Sequence, residues 1–247
     1  MNKQEEIVID VKNLHKSFGD NQVLKGLDLE LRKGENIVVL GKSGTGKSVF
    51  IKCIVKLIEP DEGKLEVLQK NVQRLTEEDE LNALRRKVGF LFQGGALYDS
   101  MTVEENLRFP LRRMPDKPSA SEIRDRIQQA LKNVGLEKAI HKMPSELSGG
   151  MKKRIALART LILQPDIVLY DEPTTGLDPA TSKEISELIV EMQETYRTSS
   201  IIITHDMSCA RITSNRMKVI RDGVFQYEGT FDELKRTDDE WLHDFFE

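Results

Sequence analysis

Eight residues, Gly41 to Ser48 (GKSGTGKS), have the types and spacing to hold a polyphosphate. The apolar run Ile37-Val38-Val39-Leu40 ahead of them predicts a strand, and the apolar-periodic stretch Val49 to Ile58 behind them predicts a helix. Strand, glycine-rich turn, Lys, Ser and helix in that order form a phosphate-binding loop. Gly41, Gly44 and Gly46, with Lys42, Ser43 and Thr45 between them, are read as letting the backbone turn tightly enough for successive N–H groups to converge on phosphate oxygens. The helix start adds the positive end of its dipole. Lys47 is placed to bridge β- and γ-phosphates as a point charge, and the Ser48 hydroxyl to ligate Mg²⁺. The bland alternative, a glycine-rich turn with a surface lysine, leaves four matched positions between a strand and a helix to coincidence.

A second short apolar run, Ile167-Val168-Leu169-Tyr170, reads as a strand buried in a parallel sheet and delivers Asp171-Glu172 at its carboxyl end, the edge at which such sheets bind ligands. There Asp171 can hold Mg²⁺, directly or through water, and Glu172 can polarise an attacking water. Ile201-Ile202-Ile203-Thr204 delivers His205 to the same edge, where the reading puts it beside the γ-phosphate rather than in a purely structural role. Ser148 is an N-cap candidate for a helix over 151–163, and Gly149 and Gly150 would let a phosphate approach it. Taken alone, that triplet is more simply a capped helix.

The elements that must position these groups follow from pattern. Alternation over 7–11 and 23–31 predicts antiparallel strands around a turn at 19–22, with Phe18 as a core or staple residue by itself. Pro60-Asp61-Glu62-Gly63 turns into a strand at 65–67, residues 74–87 look helical, and a strand at 88–92 ends at Gln93. From 94 to 145, Pro110, Pro115 and Pro118 break the run, while Ile123, Ile127, Ala130, Leu131 and Val134 recur at helical spacing, so a helical lobe is inserted there. Residues 1–93 and 146–235 are read as the catalytic core. The remainder, 236–247, is an acidic tail carrying Trp241, Phe245 and Phe246, after a hairpin at Arg221-Asp222-Gly223-Val224.

Composition narrows the class. With 38% hydrophobic and 32% charged residues the chain is that of a soluble globular protein, and a net charge of −4 gives no electrostatic case for a nucleic-acid partner. The basic clusters Arg85-Arg86-Lys87 and Lys152-Lys153-Arg154 are read as solvated helix faces. The first residues lack a signal-peptide pattern and no apolar run approaches the roughly 18 residues that span a bilayer, so a cytoplasmic location is expected. Cys53 and Cys209 read as buried, reduced thiols, and His15, His141 and His243 as surface or packing residues.

Together the ordered motifs resemble an ATP-binding cassette (ABC) ATPase along essentially the whole chain. Phe18 matches the aromatic that stacks on adenine, Gly41 to Ser48 the Walker A loop running into Val49, Gln93 the Q-loop, Leu147 to Met151 the signature, Ile167 to Asp171 Walker B, Glu172 the catalytic carboxylate, Leu177-Asp178 the D-loop and His205 the switch histidine. The resemblance implies an α/β fold of the P-loop NTPase kind, with a mixed RecA-like core sheet, an antiparallel β subdomain and an inserted helical subdomain. It implies catalytic roles for Glu172, His205, Gln93 and Lys47. ATP contacts fall to Phe18, the loop 41–49, Ser148, Gly149, Gly150 and Asp178, and Mg²⁺ contacts to Ser48, Gln93 and Asp171. It also implies a head-to-tail homodimer, the signature of one copy closing over ATP on the Walker A loop of the other, seated on separate permease subunits at the cytoplasmic face of the inner membrane.

Met151, where the family usually has glutamine, and the segment GGALYDSMTVEENLRFPL after Gln93 are similar to the ATPases that work with MCE-domain proteins in lipid trafficking. That narrower resemblance implies phospholipid transport with an MCE-domain partner. An amino-acid-type importer would share every catalytic residue and differ in its partner. A non-transport ABC clamp would bring a tandem cassette, a coiled-coil insertion or a basic surface, and a non-hydrolysing regulator would lack Glu172 or His205. Leu97, Tyr98 and Met101 are expected to form the apolar surface that meets the membrane subunit.

Overall fold

Alternating segments and short fully apolar runs sort into two sheets. The computed structural model describes residues 6–243, 245 and 246; residues 1–5 of the predicted core and Asp244 and Glu247 of the predicted tail lie outside the described residues. A first group of strands, β1 (Ile7–Phe18), β2 (Asn21–Arg32), β4 (Glu62–Val67) and β5 (Lys70–Asn71), forms an antiparallel sheet in the order β2-β1-β4-β5. The second sheet runs β10-β9-β3-β8-β7-β6, from β3 (Asn36–Leu40), β6 (Val88–Leu91), β7 (Ile167–Asp171), β8 (Ser199–Ile203), β9 (Arg216–Arg221) and β10 (Val224–Gly229). All its pairings are parallel except the β9–β10 hairpin.

Between the strands run helices α1 (Lys47–Ile54), α2 (Glu78–Lys87), α3 (Val103–Arg112), α4 (Ala120–Asn133), α5 (Gly149–Leu161), α6 (Pro179–Tyr196) and α7 (Met207–Thr213), followed by the short α8 (Phe231–Lys235) and α9 (Glu240–His243). Every residue of β3, β7 and β8 is buried, and successive residues serve opposite cores. Val38, Leu40, Val168, Tyr170 and Ile202 face a core shared with α3 to α7. Their neighbours Ile37, Val39, Ile167, Leu169, Ile201 and Ile203 face a core shared with α1 and the antiparallel sheet. The fold is therefore α/β, with helices on one side of the mixed sheet and α1 plus a second sheet on the other.

Several boundaries differ from the sequence reading, each for a local reason. β1 continues past Val11 because a bulge, with Asn13 at φ 50° and its N–H donated to Asp28, resets the register where the alternation breaks. Only Gly19-Asp20 form the turn, and Phe18 ends β1 half exposed rather than in the core. Helix α1 stops at Ile54, beyond which Lys56 takes a left-handed conformation (φ 51°) and the Arg85 guanidinium donates to the carbonyls of Val55 (3.1 Å) and Lys56 (3.0 Å). Arg85 is thus a cap, not part of a solvated face. Helix α2 starts at Glu78, after a 3₁₀ turn over Val72–Arg74 capped by Asn71.

Pro110 lies inside α3 instead of breaking the run; α3 begins from a Thr102–Glu105 capping box and ends two residues past the proline. Leu97 packs into the helical core, leaving Tyr98 as the more exposed apolar residue of its segment, and Tyr98 joins Leu57, Phe92 and Phe109 along an apolar groove of about 410 Å³. Among the described residues no helix is long and apolar enough to cross a membrane.

Both cysteines are fully buried, and burial pushes the Cys53 thiol up to about 12 and the Cys209 thiol to about 11. At pH 8, thiolate fractions of about one in a thousand or less follow from those values. The native protein should accordingly release almost no chromophore from Ellman's reagent over minutes, and both thiols should titrate on unfolding in guanidinium. Fast labelling of a thiol in the folded protein would contradict this burial.

Candidate functional site

The buried strands end together, and their loops carry the polar residues that the strands exclude. After β3 the chain turns through Gly41–Gly46 into α1, with Gly44 at φ 81° and Gly46 at φ 96°, a backbone that only glycine adopts cheaply. Gly41 has a different reason from the tight turn read in the sequence. A Cβ there would lie 2.5 Å from Ile220 Cγ2 and 2.8 Å from the Ile220 carbonyl oxygen, so the missing side chain lets the loop lie against β9. Lys47 is buried, and its ammonium donates to the carbonyls of Gly41 (2.6 Å) and Lys42 (3.0 Å). Desolvation lowers its pKa, opposed by the nearby carboxylates Glu172 and Asp171.

At the end of β7, Asp171 accepts a hydrogen bond from the Ser48 hydroxyl at 2.9 Å. Glu172 sits in the left-handed region (φ 50°), with its N–H donated to the Ile203 carbonyl on β8 at 2.9 Å. A non-glycine residue in that conformation costs of order 1–3 kcal/mol and persists where surroundings over-determine it. Here the next strand fixes the backbone, and two groups fix the side chain: His205 Nδ1 at 2.8 Å and the Thr175 hydroxyl at 3.2 Å, both on Oε2. The Glu172 side chain is 12% exposed and that of His205 66%, so the pair spans from protein to open cleft. A cleft of about 740 Å³ collects Phe18, the loop, Lys47, Ser48, Val49, Gln93, Glu172 and His205, with Val23 and Phe245 besides.

Lys153, read from sequence as part of a solvated face, is buried, and its ammonium donates to the main-chain carbonyls of Gln93 and, at 3.4 Å, of Glu172. Burial lowers its pKa. The bonds run between α5 and the ends of β6 and β7, and no local pattern marks which of two adjacent lysines turns inward. The exposed neighbour, Lys152, fits the sequence reading.

Ser148, Gly149, Gly150 and Asp178 do not line the cleft. They gather instead at a separate hollow of about 330 Å³ where the N-termini of α5 and α6 meet. The Ser148 hydroxyl accepts from the Met151 N–H at 3.3 Å, capping α5 from Gly149 onward, two residues earlier than the apolar pattern indicated. Asp178 caps α6, accepting the N–H groups of Ala180 and Thr181 at 3.1 Å each and the Thr181 hydroxyl at 2.6 Å, which hold its carboxyl below the usual range. A Cβ on Gly150 would lie 2.6 Å from Thr181 Cγ2, so this glycine serves helix packing at least as much as ligand approach. Met151 packs against the helical core, which gives an apolar residue there a structural use.

The donor set beside Lys47 suits a hard divalent cation: a hydroxyl and a carboxylate oxygen already converge at Ser48 and Asp171, with Gln93 on the same cleft. Among the described residues no cluster of three or more His, Cys, Asp or Glu forms a denser metal cage. Mg²⁺ characteristically uses one or two protein oxygens plus phosphate and water, and so needs no such cage.

Comparison with known proteins agrees with this geometry. The family model described as "ABC transporter" matches residues 24–175. Among curated relatives, the chain is 37% identical to the L-cystine import ATP-binding protein TcyN of Bacillus subtilis, over 93% of this chain and 88% of that one. It is 36% identical to the intermembrane phospholipid transport system ATP-binding protein MlaF of Haemophilus influenzae, over 94% and 87%. Protein TRIGALACTOSYLDIACYLGLYCEROL 3, chloroplastic, of Arabidopsis thaliana is 37% identical over 91% of this chain and 69% of its own. Solved structures superpose closely. One is cbiO1 of Clostridium perfringens, part of the transporter complex cbiONQ (TM-score 0.85, 31% identity, 93% and 91% covered). Another is a dimeric post-hydrolysis state of the ATP-binding cassette MJ0796 bound to ADP and Pi (TM-score 0.80, 33% identity, 90% and 98% covered).

The Lys153 contacts generate a stability prediction. Lys153→Met keeps the stem but strands two carbonyls, and should lower the unfolding free energy by about 1–3 kcal/mol, the cost of unsatisfied buried groups. Lys152→Met, on the exposed side, should stay within about 0.5 kcal/mol of wild type. Urea denaturation of the two variants makes the comparison, and equal effects would remove Lys153 from its bridging role.

Proposed function

Because this chain belongs to the ABC transporter ATPases and is an ATP-hydrolysing cassette, we propose that its cleft hydrolyses ATP by the residues that converge there, with Glu172 orienting and polarising the attacking water. The observation that carries this reading is the Glu172–His205 contact of 2.8 Å at the mouth of a cleft floored by Lys47 and Ser48. The loop amides and Lys47 hold the β- and γ-phosphates, and Phe18, half exposed at the cleft rim, receives the adenine. Glu172 is held against rotation by Thr175 and His205, so its free lone pairs are already directed before water arrives. His205 steadies the water and the terminal phosphate, and Gln93 lines the side from which the helical segment approaches. Ser48 and Asp171, with Gln93, would hold Mg²⁺, which when bound neutralises charge developing on the phosphate oxygens.

Two separate hollows in one chain, one with Lys47 and one with Ser148 and Asp178, support a composite site in a head-to-tail homodimer. The similar cassette MJ0796 is dimeric in its post-hydrolysis structure. The chain is read as a core of 1–93 and 146–235, a helical subdomain of 94–145 and a tail of 236–247. The apolar groove of Leu57, Phe92, Tyr98 and Phe109 is the proposed seat of a permease subunit on the cytoplasmic face of the membrane, in place of Leu97 and Met101. Phospholipid is the proposed cargo, with an MCE-domain protein as a further partner. The support is the segment after Gln93 and Met151, together with the likeness to the phospholipid-transport protein MlaF. The likeness to TcyN keeps a polar-solute importer as the second reading.

Glu172→Gln should retain ATP binding and lose hydrolysis by about 10²- to 10⁴-fold, the span for removing a general base. Phosphate release by the purified variant checks the chemistry, and turnover at the wild-type rate would overturn the role of Glu172. Purified from native membranes with ATP, the same variant should carry permease subunits, phospholipid and an MCE-domain protein; a periplasmic solute-binding protein in their place would replace the lipid reading with the importer reading.

The composite site is tested by subunit mixing. Lys47→Ala and Ser148→Arg homodimers should each be inactive, since each has both sites damaged. Their mixture should recover ATP hydrolysis or vanadate trapping, because one site of the heterodimer joins an intact loop to an intact Ser148. No recovery at any ratio, with exchange confirmed, would count against sites completed between chains.

A further inference from the structure

The cleft has two chemically distinct sets of walls. Lys47, Ser48, Gln93, Glu172 and His205 come from the ends of the mixed sheet and suit a polyphosphate. The apolar set is Phe18 and Val23 from the antiparallel sheet and Phe245 from the C-terminal segment. Phe245 is not a loose end that happens to lie nearby, because Leu242 before it and Phe246 after it are tied down. Leu242 is fully buried, and Phe246 packs edge-on against Phe231 at 5.3 Å. Trp241 stacks on Tyr227 at 6.2 Å and meets Phe245 at 4.9 Å, and the Tyr227 hydroxyl donates to Asp239 at 2.6 Å.

Two cations then fix Trp241 to the cleft itself. The Arg221 guanidinium lies 4.5 Å from its ring centroid, and the ammonium of Lys42, inside the phosphate loop, lies 5.6 Å from it. The tail is therefore built onto the loop that would hold the phosphates, and it presents one aromatic ring to the same cleft as Phe18.

We infer that the C-terminal segment completes the nucleotide-base subsite, Phe245 contacting the base of the bound nucleotide as a specificity-determining residue with Trp241 as its positioning residue. The inference rests on the nucleotide reading above and adds the base-contacting wall to it. An aromatic ring offers a π face to a base and nothing to a phosphate, so its contribution is confined to ligands that carry a base.

That confinement sets the experiment. Trp241 is the sole tryptophan of the chain, so its emission reports nucleotide arrival beside the tail, by energy transfer to N-methylanthraniloyl-ATP. Calorimetric titrations with ATP and, separately, with inorganic tripolyphosphate, both with magnesium, are run on wild type, Phe245→Ala and Phe245→Tyr, alongside thermal melting of each. Phe245→Ala should melt with wild type and weaken ATP roughly 5- to 50-fold, the scale of one lost base–aromatic stack. It should leave tripolyphosphate unchanged, while Phe245→Tyr restores ATP affinity. Unchanged ATP affinity would overturn the inference, as would a rise in affinity, which would make the tail an occluding lid. An equal loss for both ligands would overturn it too, by making the tail only a prop for Lys42. Wild type that binds neither ligand would instead remove the nucleotide reading beneath it.

Discussion

Burial of β3, β7 and β8 on both faces is the constraint from which the site follows. A strand sealed between two cores can carry no charge along its length, since an unpaired charge in such surroundings costs far more than one strand contributes. The polar residues are displaced to the strand ends, and parallel pairing puts those ends on one edge. Asn36, Ile167 and Ser199 begin their strands nearly in step, so Gly41, Glu172 and the segment leading to His205 emerge together. The left-handed conformation of Glu172 follows from the same geometry: the chain turns as soon as it leaves a sealed strand, while its N–H still pairs with the carbonyl of Ile203.

Much of what depends on one stretch of chain was legible in the sequence, although local caps moved several helix ends, as at Thr102 ahead of α3 and Ser148 ahead of α5. The loop from Gly41 to Ser48, the buried apolar runs and the helical recurrence of Ile123, Ile127, Ala130 and Leu131 are written locally, and each lies where its pattern indicated. What depends on two distant stretches was not legible. Nothing around Lys153 separates it from Lys152 until α5 is laid against the ends of β6 and β7. The reason for glycine at 41 is a residue nearly 180 positions later, Ile220. Trp241 and Phe245 could be seen as aromatics in want of a surface, but the surface under Trp241 is assembled from Arg221, Tyr227 and Lys42, and Phe245 packs in turn on Trp241. The early end assigned to β1 has the same origin, because a bulge erases the period-two signal while the strand continues.

The two sheets must keep a fixed relation for Phe18 and Lys47 to share a cleft, and much of that relation passes through one side chain. Arg216, on β9, binds Glu35 at 2.8 and 3.1 Å, reaches the Glu30 carbonyl on β2 at 2.6 Å and pairs with Glu228 on β10. Lys218, two residues on and on the same face of β9, donates to the Asp28 carbonyl at 3.1 Å and lies over Phe225. These contacts join the β2 edge to the neighbouring sheet, supplementing the backbone bond from the Lys25 N–H to the Gly223 carbonyl at 2.8 Å, and their donors are charged, which makes each stronger than a neutral equivalent.

The contact of Gly150 with Thr181 has a consequence for scale. Ordinary van der Waals separation for a Cβ begins at 3.4 Å, and a methyl at position 150 would stand at 2.6 Å, a shortfall of 3.4 − 2.6 = 0.8 Å. One wall of the hollow holding Ser148 and Asp178 is thus gauged against the other by a hydrogen atom on one side and, on the other, the Thr181 methyl, whose rotamer is held by the bond of its hydroxyl to Asp178 at 2.6 Å. Its aperture is set when the helices pack and the Asp178 cap fixes Thr181, and even the smallest side chain at 150 would wedge it open by a sizeable fraction of a bond length.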